Sequence, residues 1–355
     1  MAAERPSPQL KNRRQHRAAN EKELSRAPDL PRIGAATVTE LRTSALAGMP
    51  GTGRCAFCAD QHEKELRVNE AEREKAFYDR QYQSLLSAPD HAQRVDRQTM
   101  YGNCENPLHP FFERRRLYQA TLDALLQLPL DGLRVLDYGC GPADFGVWMA
   151  TEGAEVTLLD ISQTAVELGL LRAAASGVSG RVQGIAADAS HLPQLANDSY
   201  DLVFACASLH HTMKYEGAVG ELARVVRPGG RLVLCETWGE NPLLRLARHA
   251  RAWAAGEEED QGEEIVLSRR ELGRLEPWFE DWRIVTFHLL AMAKRLMRGR
   301  MQAGLARAAL KLLENADRAV IGALPPLRWW CGEALIIARR SNHAVANNPA
   351  AVRPA

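Results

Sequence analysis

Short polar motifs follow the apolar segments in the central part of the chain. The first of these segments ends in Asp137-Tyr138-Gly139-Cys140-Gly141, where two glycines one residue apart allow a tight turn whose backbone can approach a ligand. Nineteen residues past Gly141, the second segment ends in Asp160, a carboxylate that can accept hydrogen bonds from both hydroxyls of a ribose. Together the two motifs predict a pocket for an adenosine-like ligand.

Polar residues also follow the next three apolar segments. They are Asp188 and Ala189 after the third, Cys206, His210 and His211 after the fourth, and Glu236 at the end of the fifth. A histidine or a carboxylate at such a position could take a proton from a substrate, so we predict His210, His211 and Glu236 as candidate catalytic residues. The alternatives are that the histidines pack in a loop or cap a helix, and that Glu236 is a capping or ion-paired carboxylate.

The glycine turn does not suit a pyrophosphate. In the dinucleotide fingerprint G-x-G-x-x-G the third glycine is replaced here by Asp144, and Asp137 beside the turn would repel a phosphate but attract a cation. The pattern favours a sulfonium with a zwitterionic amino-acid tail over a nicotinamide dinucleotide. A nicotinamide-dependent oxidoreductase is the alternative class of enzyme.

Apolar segments alternate with helical segments through the second half of the chain. The first five are 134–136, 155–159, 181–186, 201–205 and 231–235. This alternation predicts βαβ units and a parallel sheet with helices on both faces, in which ligands bind beyond the carboxyl ends of the strands. Arg227-Pro228-Gly229-Gly230 predicts a turn before the fifth strand. Two later segments, 282–289 and 332–338, would join the sheet edge and are separated by a predicted long helix over about 291–321.

These motifs resemble those of the class I S-adenosylmethionine (SAM)-dependent methyltransferases over about residues 118–338. VLDYGCG resembles the family's first motif, whose glycine loop holds the methionine part of SAM, and LLDIS resembles the second strand. AADAS is similar to the loop on the adenine side, and DLVFACASLHHT and RPGGRLVLCE are similar to the fourth and fifth strands. The resemblance implies an α/β, Rossmann-like sheet of seven mostly parallel strands, with the last strand antiparallel.

The resemblance also implies SAM as the cofactor and methyl transfer to a small-molecule or lipid-linked acceptor at oxygen, nitrogen or carbon. The residues implied to bind SAM are Asp137, Tyr138, Gly139, Cys140, Gly141, Asp160, Ile161, Asp188, Ala189 and Cys206. Tyr78 and Tyr82 are added because an N-terminal helix could close over the cofactor, although these tyrosines could instead be the buried side of an amphipathic helix. A protein that binds SAM without turnover is a further alternative.

The composition divides the chain into four parts. Residues 1–53 are polar and rich in Arg, Ala and Pro, which predicts a disordered tail. Residues 54–116 are predicted to form a helical N-terminal cap, with a helix over 62–86, a stretch that contains no Gly or Pro. Residues 117–340 would form the methyltransferase domain, with a helical insertion before its last strand, and 341–355 a flexible tail.

Charge and cysteine content constrain the partners and the compartment. The net charge of +1 gives none of the basic excess that is typical of nucleic-acid binding. Seven scattered cysteines and the lack of a signal-like N-terminus predict reduced thiols and a cytoplasmic protein. The basic, Leu- and Met-rich segment 289–313, with Trp329-Trp330 nearby, could contact an anionic membrane peripherally; the alternative is that its apolar stripe packs on the sheet and its charges are solvated.

No metal is predicted. Cys55, Cys58 and His62 begin in the manner of a structural zinc site, but Cys104 and His109 do not continue it with the usual spacing. The sequence makes no prediction of oligomeric state.

Overall fold

The structure is a computed structural model that describes residues 56–215, 217–246, 266–297 and 299–342, with the backbone alone for 56–70, 90 and 91. The chain separates into two compact units, Met1–Glu63 and Lys64–Ala355. Of the first unit, only the helical backbone from residue 56 onward is described. The predicted tail at 1–53 therefore lies outside the described residues, as does the second predicted tail beyond residue 342.

In the described part of the chain, seven strands form one sheet in the order β3-β2-β1-β4-β5-β7-β6. Strands β1 to β5 are parallel, and β7 is antiparallel to both β5 and β6. The predicted Rossmann-like fold is confirmed, including the antiparallel direction of the last strand. Of the two segments predicted at the sheet edge, only the one in β6 lies there, because β7 is inserted between β5 and β6. The strands are β1 (Arg134–Tyr138), β2 (Glu155–Asp160), β3 (Val182–Ala186), β4 (Tyr200–Cys206), β5 (Val226–Thr237), β6 (Phe279–Phe287) and β7 (Glu333–Arg340).

Helices pack on both faces of this sheet. The α-helices are α1 (Ala56–Leu86), α2 (Asp90–Gln93), α3 (Arg97–Glu105), α4 (Arg115–Leu126), α5 (Asp144–Thr151), α6 (Gln163–Ala175), α7 (Leu209–Thr212), α8 (Ala218–Val225), α9 (Arg269–Gly273) and α10 (Gly304–Ala323). Short 3-10 helices cover Pro110–Arg114, Ser179–Arg181, Leu290–Met297 and Pro325–Trp330.

The two faces of the sheet bury two separate apolar cores. Successive residues of β4 alternate between them, because side chains of a strand point to opposite faces in turn. Val203 packs in the core that also contains Tyr138, whereas Phe204 packs in the core that contains Val135 and Trp148. Burial on both sides explains why the central strands β1 and β4 are mostly apolar, and it leaves most polar residues near the strand ends.

Two local predictions differ from the structure. The stretch predicted as one helix over about 291–321 is a 3-10 helix over Leu290–Met297 and then α10, separated by a turn in which Gly299 adopts a φ of +75°. The predicted Arg-Pro-Gly-Gly turn lies inside β5 rather than before it. There the pairing with β4 jumps from Tyr200–Val226 to Leu202–Arg231, which is a bulge, and Gly229 has a φ of +72°.

Candidate functional site

A cleft of about 280 Å³ opens at the carboxyl ends of β1, β2 and β4. β1 lies between β2 and β4, so the strand order reverses here, as expected for a ligand site in an open α/β sheet. The cleft is lined by every residue predicted to bind SAM: Asp137, Tyr138, Gly139, Cys140, Gly141, Asp160, Ile161, Asp188, Ala189, Cys206, Tyr78 and Tyr82. Of the predicted catalytic residues, only His211 lines it.

The turn after β1 requires glycine at two positions. Gly139 and Gly141 have φ values of +68° and +49°, which L side chains rarely adopt. A Cβ on Gly139 would lie 2.4 Å from the Cβ of Ser208, and a Cβ on Gly141 would lie 3.0 Å from the hydroxyl of Tyr82. The glycines therefore let the loop after β4 and helix α1 approach the turn closely.

A third glycine fits α5 against the sheet. A Cβ on Gly146 would lie 2.5 Å from Oδ2 of Asp137 and 2.6 Å from Cδ2 of Leu158. In dinucleotide-binding folds the third fingerprint glycine allows this close helix–strand packing. Here Gly146 has that function two residues later than Asp144, and the sequence analysis assigned it no role.

Asp144 is balanced by a cation. Its Oδ1 accepts a hydrogen bond from Nη1 of Arg172 at 2.7 Å, and the same nitrogen donates to the carbonyl of Pro142. The negative charge at the position of the third fingerprint glycine is therefore paired with Arg172 of α6. Arg172 also ties the end of the glycine turn to that helix.

Asp160 is held against the glycine turn by backbone donors. Its Oδ2 accepts from the Gly141 N–H at 2.8 Å, and its Oδ1 accepts from the Ser162 N–H at 2.9 Å. Burial raises the pKa of Asp160, and these two hydrogen bonds partly offset the effect. A carboxylate has about four acceptor positions, so both oxygens can still accept bonds from hydroxyl groups in the cleft.

Asp137 is a second acid in the same region. Burial and the neighbouring charge of Asp160 raise the pKa of Asp137 to about 8. Asp137 therefore holds a proton near neutrality, and a positively charged ligand would stabilise its ionised form. This pair of acids fits a cationic sulfonium or ammonium group and disfavours a phosphate.

The loop after β3 presents Asp188 and Ala189 to the cleft. Oδ1 of Asp188 accepts from the backbone N–H and the hydroxyl of Ser190, at 2.8 and 2.6 Å. The carbonyl of Ala189 accepts from the hydroxyl of Tyr138 at 2.9 Å. These contacts fix the loop as a rigid part of the cleft wall.

Helix α1 contributes an aromatic edge to the cleft. The rings of Tyr78 and Tyr82 are stacked, with centroids 6.0 Å apart and an interplanar angle of 12°. Asp79 anchors the helix to the start of α6, because its Oδ1 accepts from the hydroxyl of Ser162 at 2.6 Å and from the Thr164 N–H at 3.2 Å. Tyr82 is 9% exposed and lies directly over Gly141.

His211 faces the cleft together with two residues of α1. Its Nδ1 lies 2.8 Å from Oε1 of Glu74, and its Nε2 lies 3.4 Å from the hydroxyl of Tyr78. Glu74 also lines the cleft. A carboxylate on Nδ1 favours the tautomer that leaves the lone pair on Nε2, which is the arrangement of an oriented general base. Glu74 was not among the residues predicted from the sequence.

His210 and Glu236 lie behind the cleft. Nδ1 of His210 is 2.7 Å from Oε2 of Glu236, and Oε1 of Glu236 accepts from the backbone N–H groups of Ser208 and Leu209 at 3.1 and 3.0 Å. Glu236 is fully buried, and His210 is 4% exposed. In this arrangement the two residues cap and support α7, as in the alternative interpretation, and neither reaches the cleft wall.

Aromatic rings from four different elements line the rest of the cleft. Phe111 packs on Tyr118 and Phe145, with centroids 4.6 and 6.0 Å apart, and Phe145 packs on Phe204 at 5.0 Å. All four rings line the cleft. Sequence reasoning missed them because apolar aromatic residues in helices and strands are usually core residues, and no spacing distinguishes these four.

No metal site is found in the part of the chain that the structure describes, where no group of three or more His, Cys, Asp or Glu side chains is arranged to hold an ion. Cys104 is buried, and Nδ1 of His109 accepts from the Phe111 N–H at 3.2 Å. Cys55 and the side chains of Cys58 and His62 lie outside the described residues.

The sequence of the cleft matches a known family. Residues 136–234 match the family described as "Methyltransferase domain", and they contain the glycine turn, Asp160, Asp188 and the loop after β4. The fold, the cleft and this match together define a class I SAM-dependent methyltransferase domain, which this chain contains. A nicotinamide-dependent oxidoreductase is not favoured.

Three curated relatives match part of the chain. The chain is 39% identical over 106 residues to methyltransferase GfsG of Streptomyces halstedii, and 43% identical over 109 residues to the 27-O-demethylrifamycin SV methyltransferase of Amycolatopsis mediterranei. It is 36% identical over 108 residues to the demethylmenaquinone methyltransferase of Clavibacter sepedonicus. Each match covers 30% of this chain, and the matches cover 38%, 40% and 42% of the respective relatives. The chain therefore matches less than half the length of each of these relatives.

Proposed function

We propose that this protein transfers the methyl group of SAM to an apolar small-molecule or lipid-linked acceptor. The observation that carries the proposal is the hydrogen bond from the Gly141 N–H to Asp160, which joins the glycine turn and the ribose-binding acid in one cleft. Both residues lie within the region that matches the methyltransferase domain. When bound, SAM supplies a methyl group on a positively charged sulfur, which is reactive towards a nucleophile.

The residues of the chain fit the parts of SAM. The turn from Gly139 to Gly141 would bind the amino-acid tail, Asp160 the ribose hydroxyls, and Asp188 and Ala189 the adenine. Ile161, Tyr138 and Cys206 would contact the cofactor from neighbouring positions, with Tyr78 and Tyr82 covering it. The fit rests on charge as well as shape, because ionised Asp137 would be stabilised by the cationic cofactor.

We assign the proton transfer to His211. Its Nε2 would accept a proton from the acceptor, while Glu74 holds Nδ1 and stabilises the protonated ring. The hydroxyl of Tyr78 lies 3.4 Å from Nε2, at the position of a hydrogen-bond donor. A hydroxyl or amine of the acceptor would approach Nε2 at the same position. In this assignment His210 and Glu236 are positioning residues, because they hold the loop that carries His211.

The aromatic wall supports an apolar acceptor. Phe111, Tyr118, Phe145 and Phe204 give the cleft a surface on which a ring or a chain could stack, and such surfaces bind through burial and ring contacts rather than charge. A small apolar molecule or the headgroup of a lipid-linked one would fit this wall. Whether oxygen, nitrogen or carbon receives the methyl group follows from the acceptor, which the relatives do not identify.

We also propose a cytoplasmic location with peripheral membrane contact. The cysteines of the described residues are free, which is typical of a reducing compartment. No described helix has both the length and the low polarity that crossing a bilayer requires. We propose no nucleic-acid partner.

Titration of the full chain with SAM, S-adenosylhomocysteine and NAD⁺ in a calorimeter tests the proposal. We expect saturable binding of the first two and none of the third. Transfer of a labelled methyl group from SAM to apolar hydroxyl or amine acceptors then distinguishes an enzyme from a protein that only binds the cofactor. Failure to bind SAM, or tighter binding of NAD⁺, would contradict the assignment.

A further inference from the structure

Helix α10 buries its acidic side chains and exposes two of its leucines. Its acidic residues, Glu314 and Asp317, are 6% and 5% exposed, whereas Leu305 and Leu312 are 83% and 69% exposed. Helices on the surface of a globular protein usually bury leucines and expose acids. The outward face of α10 has one neutral polar residue, Asn315, and is otherwise apolar and basic, with Leu305, Ala308, Lys311, Leu312, Arg318 and Ala319.

The buried acids fix this orientation. The carboxylate of Asp317 accepts from the N–H groups of Leu289 and Leu290 at 3.0 and 2.6 Å, at the start of the 3-10 helix over 290–297. Oε2 of Glu314 accepts from Nη2 of Arg115 at 2.6 Å. Rotating α10 to bury Leu305 and Leu312 would leave the two carboxylates and their donors without partners. That would cost far more than exposing two leucines.

The region around α10 carries a positive field. Residues 290–330 contain Glu314 and Asp317 as their acidic residues, against eight Lys and Arg. Because both acids are buried, the surface charge of the described part of this region is basic. Leu296, Leu324 and Trp330, in the chain segments before and after the helix, are also exposed, at 84%, 57% and 43%.

We propose that the outward face of α10 docks on the surface of an anionic phospholipid bilayer. An interfacial helix of this type buries its leucines at the boundary of the acyl chains, while Lys and Arg bind anionic headgroups. A second copy of the chain is disfavoured as the occupant, because a two-fold contact would place Lys311 and Arg318 against the same residues of the partner copy. The inference rests on the peripheral location proposed above but not on methyl transfer, so membrane binding and SAM binding are tested separately.

Helix α10 packs next to the segment that carries part of the aromatic wall. The inner face of α10, with Ala306 and Leu310, packs on Phe112, and Arg115 binds Glu314. Phe111, beside Phe112 in the chain, lines the cleft. A bilayer under α10 would therefore lie close to the aromatic wall, where a lipid-linked acceptor could enter.

Sedimentation of the full chain with vesicles tests the proposal. We expect binding to vesicles of phosphatidylcholine with phosphatidylglycerol at about 0.15 M salt, little binding to pure phosphatidylcholine, and loss of the electrostatic part at about 1 M salt. Lys311→Glu with Arg318→Glu should weaken binding about tenfold or more, since each basic residue near an anionic surface contributes to affinity. Leu305→Glu with Leu312→Glu should weaken it to a similar degree.

Two variants elsewhere serve as controls. Leu170→Glu changes a partly exposed leucine of α6, at the opposite edge of the sheet, and Arg231→Glu reverses an exposed charge on β5. Both should bind vesicles like the unmodified chain, and all variants should retain SAM affinity as evidence of folding. Equal binding of both vesicle types, or α10 variants that bind like the controls, would overturn the proposal. A dimer that Leu305→Glu with Leu312→Glu dissociates would overturn it in favour of a second copy.

Discussion

Oδ2 of Asp160 accepts a hydrogen bond from the N–H of Gly141 at 2.8 Å, so the end of β2 is joined to the turn that follows β1. This bond fixes the distance between the two features that would bind the amino-acid tail and the ribose of SAM. Glycine is required at position 141 for a separate reason, because a Cβ there would lie 3.0 Å from the hydroxyl of Tyr82. Asp160 supports the turn and, in the proposed complex, would also bind the ribose.

Asp160→Ala should weaken SAM binding by about 1–3 kcal/mol, because two ribose hydroxyls lose their acceptor. Titration calorimetry with S-adenosylhomocysteine measures the loss. Glu167→Ala, at an exposed position on α6, is the matched control and should leave affinity unchanged. An Asp160→Ala chain with full affinity would show that the ribose is not bound at this acid.

His211→Ala should slow methyl transfer by about 10²–10⁴-fold, the usual contribution of a general base, with SAM affinity nearly intact. Glu74→Gln should lower kcat less, because the amide can still hold the ring but stabilises its protonated form poorly. His210→Ala should instead reduce stability, since it removes the buried partner of Glu236. Steady-state rates combined with thermal unfolding separate these effects. Full activity of the His211 variant would show that the base is elsewhere or is not needed.

Most of the residues that the sequence identified lie near strand ends. Asp137 and Asp160 are among the last two residues of β1 and β2, Asp188 follows β3 by two residues, and the parallel topology brings such positions to one edge of the sheet. Local sequence therefore determines their placement. Glycine turns and the alternation of apolar with helical segments are short-range signals. They therefore allow the succession of strands and motifs along the chain to be predicted.

The residues that the sequence missed come together only through tertiary packing. Glu74 reaches His211 because Asp79 anchors α1 to the start of α6, over a large separation along the chain. His210 and His211 are neighbours in sequence, yet Glu236 holds the first in the interior while the second faces the cleft. No periodicity distinguishes two adjacent histidines in a helix of four residues.

Binding of SAM should become tighter as pH rises. The pKa of Asp137 is raised to about 8 in the ligand-free protein, and a cationic ligand favours the ionised carboxylate, so binding below that pKa releases a proton. We expect affinity to rise with pH, by at most about tenfold per unit, and to level off above about 8. Calorimetry in buffers of different ionisation enthalpy measures the proton release directly.

Two controls isolate the contribution of Asp137. Asp137→Asn should flatten the pH dependence, and S-adenosylhomocysteine, which lacks the sulfonium charge, should show a shallower one. The sign for stability is opposite: with its pKa raised on folding, Asp137 makes the ligand-free chain less stable as pH rises from about 4 to about 8, and the Asn variant should lose that trend. Affinity for SAM that is independent of pH would contradict a role for this carboxylate.

Gly146→Ala should destabilise the protein by about 1–3 kcal/mol, the usual cost of inserting a methyl group into a packed core. The added Cβ would lie 2.5 Å from Oδ2 of Asp137 and 2.6 Å from Leu158, so α5 must move away from the sheet.

Gly220 in α8 offers a matched control, since nothing lies within 4 Å of the Cβ position there. Gly220→Ala should stabilise the protein by about 0.5–1 kcal/mol through helix propensity alone. Urea unfolding of both variants measures the difference, and equal stability would show that α5 does not depend on close contact with β1. Because the added methyl group would displace the carboxylate of Asp137, the Gly146 variant should also bind SAM more weakly, whereas the Gly220 variant should not.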